Sequence, residues 1–507
     1  MIVKTVIKPG EYHDSVSLML VARELASQPG VQDAAVVMGT AANKSILDGS
    51  GLLTPELAAA TPNDLVLAVS AVDEPSARQA LEKADGLLKR KAAPESGVEF
   101  KPKTIRRAVA GRPEANLAVI SVSGRFAADE AWEALRHGLH VLLFSDNVSL
   151  ADEIALKRYA VAHGLLLMGP GAGTAIINGV ALGFANVLPR GPVGIVSAAG
   201  TGLQEVSTLL ARRGVGITQG IGTGGRDLKE EVGGLMMLAG LQALQTDPDT
   251  QVIVLVSKPP AAAVAEKIIA QAQQCGKLTV VCFMGDRHLH PAARTIRFVP
   301  TLEEAAQAAA ALVGVKPDPG GIVEPQPGAQ SHGKLRGLFS GGTLCYEAQV
   351  IWRDLLPEPV MSNAPLDRAH LMANSLASHG HCAVDLGEEE FTVGRPHPMI
   401  DNDLRIRRLY QEARDPEVAV IMLDVVLGYG AHPDPASELA PAIQKAQDMA
   451  RQSGRKLHVV TAVTGTPDDP QGLTTQIQML EAAGALVCPS NAAAARLAAG
   501  LILEVTG

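Results

Sequence analysis

Short apolar runs alternate with stretches of helical periodicity along most of the chain, the order expected of parallel sheets covered by helices on both faces. Near the start, strands are predicted at Ile2–Ile7, Asp33–Met38 and Asp64–Val69, with helices at Ser15–Ser27, near Ala41–Asp48 and at Glu74–Lys91. That order predicts a small α/β sandwich. A second run opens with strand Leu117–Val122, helix Ala127–His137, strand His140–Phe144 and, after another helix, Gly164–Met168. From Pro192 follow strands at Val193–Val196, Gly216–Gly220, Val252–Val256 and Leu278–Phe283, and a last region carries strands near Gly337 and at Val418–Val426. Two stretches lack apolar periodicity, a basic one and one rich in Pro, Gly and Gln, and are read as linkers. The predicted division is therefore 1–92, linker 93–114, 115–190, 191–313, linker 314–334, and 335–507.

The chemistry gathers where strands turn into helices. The run ending at Val196 meets Ser197-Ala-Ala-Gly-Thr-Gly202, after which Leu203, Val206, Leu209 and Leu210 keep helical spacing. Such a turn leaves backbone N–H groups unpaired at the positive end of a helix, a cradle for phosphate or carboxylate that needs no basic side chain. Any parallel α/β unit also uses a tight glycine turn for architecture alone, and a single turn does not separate the two readings. Similar turns recur at Ser340-Gly341-Gly342-Thr343 and around Gly428, Gly430 and His432, which points to an internal repeat. The candidate anion-binding residues are thus Ser197, Ala198, Ala199, Gly200, Thr201, Gly202, Gly224, Gly225, Arg226, Asp227, Gly341, Gly342, Thr343, Gly428, Gly430 and His432. Arg226 and Lys258 follow neighbouring strands and are expected on the same rim, where two fixed cations and a glycine turn would make an oxyanion site. The polar, proline-stiffened stretch Phe391–Asp401 adds Arg395 and His397, the latter able to carry a proton near neutral pH or simply to bond to backbone. Lys258, Arg395 and His397 are the catalytic candidates.

Composition trims the alternatives. The 507 residues carry a formal charge of -9, which argues against a nucleic-acid binder, and no run approaches the length of a membrane span, so a cytoplasmic location is expected. Five cysteines are scattered without Cys-x-x-Cys spacing, so neither a disulfide framework nor a metal site is predicted, and the thiols are read as reduced and mostly buried. Cys345, at a helix start, could have a lowered pKa. No Gly-x-Gly-x-x-Gly follows the strand at Leu117, so a dinucleotide fold is not supported.

Gly194-Ile-Val-Ser-x-x-Gly-Thr201, Met168-Gly-Pro170, Gly222-x-Gly-Gly225 and Asp247-Pro-Asp-Thr-Gln251 resemble the α subunit of succinyl-CoA synthetase over about 115–312, and 395–503 resembles the C-terminal domain of its β subunit. More closely, Asp14-Ser-Val-Ser-Leu-Met19, Phe144-Ser-Asp-Asn-Val148, Gly224-Gly-Arg-Asp-Leu228, Ser257-Lys-Pro-Pro260 and Gly394-Arg-Pro-His-Pro-Met-Ile-Asp401 resemble the FdrA-type proteins. The implied fold is α/β: the N-terminal sandwich, a CoA-binding-like Rossmann domain and flavodoxin-like parallel-sheet domains, without the ATP-grasp domain of the synthetase. The synthetase's phosphohistidine motif, Gly-His-Ala-Gly-Ala, is not matched by Gly285-Asp-Arg-His-Leu-His290, and Lys258 stands where the synthetase has a supporting glutamate.

The FdrA resemblance implies one subunit of an oxamate carbamoyltransferase working with two partner proteins. Phosphate would cleave a ureido acid such as oxalurate to carbamoyl phosphate and oxamate, with no required cofactor and His397 as proton donor. The alternative is an acyl-CoA synthetase or CoA-transferase subunit, with CoA bound. Close relatives read Gly-Pro-Asp-Cys-Gly-Thr where this chain has Gly169-Pro-Gly-Ala-Gly-Thr174, which leaves the substrate open. Homo- and hetero-oligomers are expected.

Overall fold

The computed structural model describes residues 2–11, 15–26, 28–40, 43–44, 47–48, 50–89, 102–286, 294–316, 332–392 and 396–502. They divide into two compact units, Met1–Lys101 with Glu389–His397, and Pro102–Glu388 with Pro398–Gly507.

In the first unit, strands β1 (Ile2–Lys8), β2 (Val31–Met38) and β3 (Leu65–Ala71) form an antiparallel sheet in the order β1-β3-β2. Every residue of β3 is buried, and its alternation explains why. Leu65, Leu67, Val69 and Ala71 face a core shared with Leu18, Leu25, Ala77, Ala80 and Ala84 from the helices Ser15–Ala26 and Glu74–Lys89. Val66 and Ala68 face the other way, onto Leu47, Leu52 and Leu57.

The second unit opens with a helix, Ile105–Gly111, inside the stretch expected as linker. Thr104 caps it, and Ile105 and Val109 pack into a core with Ala131 and Leu135 of the helix Gly124–Arg136. Two helical turns are too short for their periodicity to show against a basic background. A small parallel sheet follows, β4 (Leu117–Ile120), β5 (His140–Leu143) and β6 (Leu167–Met168).

Two larger sheets complete this unit. Strands β7 (Thr174–Ile177), β8 (Val180–Gly183), β9 (Arg190–Ser197), β10 (Ile217–Gly222), β11 (Val252–Ser257), β12 (Leu278–Phe283) and β13 (Ile296–Phe298) pair in the order β13-β12-β11-β9-β10-β7-β8. Strands β14 (Lys334–Phe339), β15 (Val360–Ser362), β16 (His381–Asp385), β17 (Val418–Val426), β18 (His458–Thr464) and β19 (Leu486–Cys488) pair as β15-β16-β14-β17-β18-β19. From β9 to β13, and in the second sheet apart from the edge strand β15, the order is that of a flavodoxin-like fold, whose ligands sit where the strand order reverses. In the first sheet that point lies at β9, between β10 and β11; in the second it lies at β14, between β16 and β17. The helices that follow β9 and β14, Gly200–Arg212 and Gly342–Leu355, share one apolar core with Leu302–Leu312 and Asn491–Gly500. Among the described residues no helix is long and apolar enough to cross a membrane.

Candidate functional site

β9 stops at Ser197 because its side chain and backbone fold back on each other: Ala199 N–H donates to Ser197 Oγ at 3.1 Å and the hydroxyl donates to Ala199 O at 2.7 Å. Ala198 N–H reaches Val256 O on β11 at 3.0 Å, and Thr223 N–H reaches Ser197 O at 2.8 Å, so the three rim turns are tied together. The helix that begins at Gly200 has Ala199 at its N-cap, which offers no side-chain acceptor. Its first-turn N–H groups are therefore left for another acceptor.

The second turn, also built on a strand end and a glycine pair, is filled differently. Asp424 on β17 accepts Ser340 N–H at 2.7 Å, the Ser340 hydroxyl at 3.0 Å and Gly341 N–H at 2.7 Å, while Arg405 lies 3.2 Å away. From the other flank, Asp385 at the end of β16 accepts Gly387 N–H at 2.9 Å, and a β-carbon added at Gly342 would collide with its Oδ2. Of Gly341, Gly342 and Thr343, expected as an anion cradle, Gly341 gives its N–H to Asp424, Gly342 lies against Asp385, and the helix that starts at Gly342 has no side-chain cap, as in the first turn. Burial holds the Asp385 carboxyl up at about 7 even though the Lys258 charge opposes that rise. The Cys345 thiol, one turn in, is raised well above its ordinary value by burial, so the reactive-thiol reading does not hold.

The two turns meet. A β-carbon on Gly202 would lie 2.9 Å from Thr343 Cγ2, and one on Gly341 would lie 2.9 Å from Thr201 Cγ2, so glycine at both positions is what lets the helix starts touch. Lys258 follows β11, with its ammonium 5.3 Å from the Tyr346 ring centroid, and so reaches the second helix from the first sheet. Burial pushes the Tyr346 hydroxyl up to about 12.

The remaining candidates have other duties. Gly224, with φ +86, packs on Pro170 O, where a β-carbon would sit 2.6 Å away, and Gly225 lies beside Ala198. Arg226 does not point to the rim as an anion-binding cation: it pairs with Glu153 at 2.8 Å and donates to Val148 O at 2.7 Å. Asp227 is buried, accepts Lys157 at 2.8 Å, and caps the helix Leu235–Thr246 through Met236 and Met237 N–H. Three buried charges need partners more than a ligand does. The third turn is built differently from the other two. Gly428 N–H donates to Gln471 and Tyr429 pairs with Ala185, while the helix Pro435–Gln452 starts later under an Asp434 cap. His432 is buried, with Nδ1 accepting Asp434 N–H and Nε2 3.3 Å from Glu438. Gly430 packs on Phe184, since a β-carbon there would lie 3.0 Å from its ring. The repeat is therefore twofold, at β9 and β14. Arg395 lies outside the described residues; Phe391 and Thr392, expected in an extended loop, end a short helix, Glu389–Thr392, with Phe391 buried. His397 closes the segment Glu389–His397, which groups with the N-terminal unit. The sequence did not single out Asp385 or Asp424; the readable signal was a carboxylate at the end of an otherwise apolar strand.

Family profiles match three stretches: "CoA binding domain" over 190–285, "CoA-ligase" over 338–501, and "AllF, heavy metal-associated domain" over 1–103. Two flavodoxin-like sheets with paired helix starts and these profiles define a CoA-ligase-type α/β protein. The uncharacterized protein YahF of Escherichia coli (strain K12) is 45% identical over 500 residues, 97% of each chain. This chain therefore belongs, with YahF, to the FdrA-type, succinyl-CoA synthetase-like family. Subunit SauD of the ADP-forming sulfoacetate-CoA ligase of Bilophila wadsworthia is 27% identical over 193 residues, 36% of this chain and 64% of that one. The succinate–CoA ligase α subunit of Methanothermobacter thermautotrophicus is 29% identical over 148 residues, 29% of this chain. The match spans 49% of that subunit. The metal named for the N-terminal stretch does not fit its residues: 1–103 holds no cysteine and a single histidine, His13, which lies outside the described residues. Heavy-metal sites of that kind are built on soft thiolates.

Proposed function

We propose that this chain is a subunit of an acid–CoA ligase-type enzyme and holds a phosphoryl or carboxylate anion at the first turn of the helix Gly200–Arg212. One observation carries the reading: that helix start is uncapped, lies at the point where strand order reverses, and sits on the rim that also bears Lys258. Backbone N–H groups at a helix start favour negative charge, and Lys258 adds a cation on the same rim. An acid is activated as an acyl phosphate when its carboxylate takes a phosphoryl group from ATP and ADP leaves, and the thiol of CoA then attacks the acyl carbon and expels phosphate. Fixed donors stabilise charge on the phosphoryl oxygens in the first step and the tetrahedral oxyanion at the acyl carbon in the second. The names of the relatives, subunits of ADP-forming CoA ligases, support an ADP-forming reaction carried out with a further subunit. The test is thioester formation from small carboxylates, ATP and CoA by the chain with its co-purifying partners; no CoA-dependent product with any acid would refute it.

Lys258 also favours a second reading. A cation in place of the synthetase's supporting carboxylate suits direct binding of inorganic phosphate, as phosphorolysis of a ureido acid to carbamoyl phosphate requires. Arg395 and His397 are the candidates for binding and proton donation in that reaction. Phosphate-dependent carbamoyl phosphate release without CoA selects this reading over the first.

A further inference from the structure

We infer that the free edge of β4 is a homodimer interface: two copies of this chain pair their β4 strands antiparallel about a twofold axis at Val119, joining the two small sheets into one. The inference does not depend on the anion site proposed above.

β4 ends the sheet β4-β5-β6, with no strand on its other side among the described residues. Asn116 O accepts His140 N–H, Ile120 O accepts Phe144 N–H, and Val122 N–H goes to Ser145 Oγ, so the even-numbered residues bond inward, toward β5. Alternation along the strand then turns the N–H and C=O groups of Leu117, Val119 and Ser121 to the open edge. Nothing in Ala115–Val122 blunts that edge: the run has no charge and no proline, whereas the long edge strands of the N-terminal sheet carry Lys4 and Lys8 on β1 and Asp33 on β2. Val119 is 53% exposed and Val122 44%, in a parallel sheet, where apolar residues are ordinarily covered on both faces. Along the strand runs a groove of about 280 Å³, its other wall formed by Ile105, Ala108 and Val109 of the helix Ile105–Gly111 and by Arg112 after it. A slot between an edge strand and a helix takes one more strand.

The chain itself supplies the strand that fits. With Val119 on the axis, Val119 faces its own counterpart and Leu117 faces Ser121 of the second copy, so every outward N–H meets an outward C=O. A twofold pairing makes each of these contacts in duplicate. The ends match in charge as well. Glu114 and Arg125 are both exposed, and neither has an ion-pair partner among the described residues; Arg125 rests over the Phe126 ring, 4.5 Å from its centroid. The same register sets Glu114 opposite Gly124 of the second copy, beside that copy's Arg125, at both ends of the paired strands.

The test is light scattering and sedimentation equilibrium of the full chain across the micromolar range. The expected result is a concentration-dependent dimer, with slow amide hydrogen exchange at Leu117, Val119 and Ser121 that quickens on dilution. Val119→Lys puts two like charges on the axis and should raise the dimer dissociation constant by more than ~tenfold while the circular dichroism spectrum stays unchanged. Glu114→Arg and Arg125→Glu should each raise it by about three- to tenfold, because two symmetric pairs are lost at once. Both reversals in one chain should restore the dimer, a rescue that a folding defect would not give, and these exposed positions keep the test valid if Val119→Lys does not fold. Loss of the dimer in Val119→Lys without rescue by the double reversal overturns the twofold register. A dimer indifferent to all of these substitutions overturns the interface. A chain that stays monomeric overturns the inference as a whole, and protection of those three amides only with a co-purifying protein would then assign the edge to a strand of that protein.

Discussion

Arg226 and Lys258 are both cations following a strand of the first large sheet, and the fold gives them opposite roles. Arg226 is held by Glu153, itself fully buried and shared with Lys157. Arg226→Ala should therefore lower the thermal midpoint, by roughly 1–3 kcal/mol of stability, because it leaves a buried carboxylate short of a partner. Its effect on sulfate affinity should stay within about threefold; a loss of binding without a loss of stability would return Arg226 to the site. Gly342 makes the complementary case. A methyl group there collides with Asp385 Oδ2, so Gly342→Ala should displace that carboxyl and lower the thermal midpoint, by roughly 1–3 kcal/mol of stability. A thermal melt level with that of the unaltered protein would show that the contact is relieved without cost.

At the scale of elements, the two strand–turn–helix units are related, and their helices carry a glutamate at the same place. Glu205 is the sixth residue of Gly200–Arg212 and Glu347 the sixth of Gly342–Leu355. Asn491 joins them, giving its N–H to Glu205 at 2.9 Å and its side-chain amide to Glu347 at 2.8 Å. The units differ just before the helix, where Asp424 takes Ser340 and Gly341 N–H in the second turn while Val256 O and Ser197 Oγ take Ala198 and Ala199 N–H in the first; neither helix has a side-chain cap. The uncapped start of the first helix predicts the outcome of Ala199→Asp. The N-cap of the first helix has extended backbone, φ -137 and ψ 107, compatible with a capping aspartate. A carboxylate there would take the first-turn N–H groups and should cut sulfate affinity by more than about tenfold while the fold is retained. Unchanged affinity in calorimetry would move the anion elsewhere.

At the scale of the whole molecule, Glu347 makes stability depend on pH. Burial raises its carboxyl from the ordinary 4.5 to about 8, despite hydrogen bonds from Asn491 and Leu302. The folded state therefore binds more protons than the unfolded chain between those two values, and stability must fall as pH rises through that window. Asp385 adds to the same slope, being raised from 3.8 to about 7. The thermal midpoint should be several degrees lower at pH 8.5 than at pH 5.5, and Glu347→Gln should flatten part of that decline by removing the ionisable group while keeping the polar contacts. A midpoint that is level or rising over this range would contradict the buried, protonated state of Glu347. The short helix Ile105–Gly111 and the buried polar network show that the second unit depends on more than its apolar strands.

Local pattern alone determined the long apolar strands, the helices that follow β9 and β14, and the parallel α/β class, because hydrophobic period and glycine turns act over a few residues. The resemblance to succinyl-CoA synthetase was legible for the same reason, in short motifs at those turns. What the sequence could not determine was which partners hold each of the three similar turns. That depended on Asp424 and Asp385 arriving from strands on either side of β14, on Gln471 reaching Gly428, and on Glu153 turning Arg226 away. Each of these partners is remote in sequence, and a buried polar group takes whichever partner the packing brings to it, so the tertiary structure decided the site.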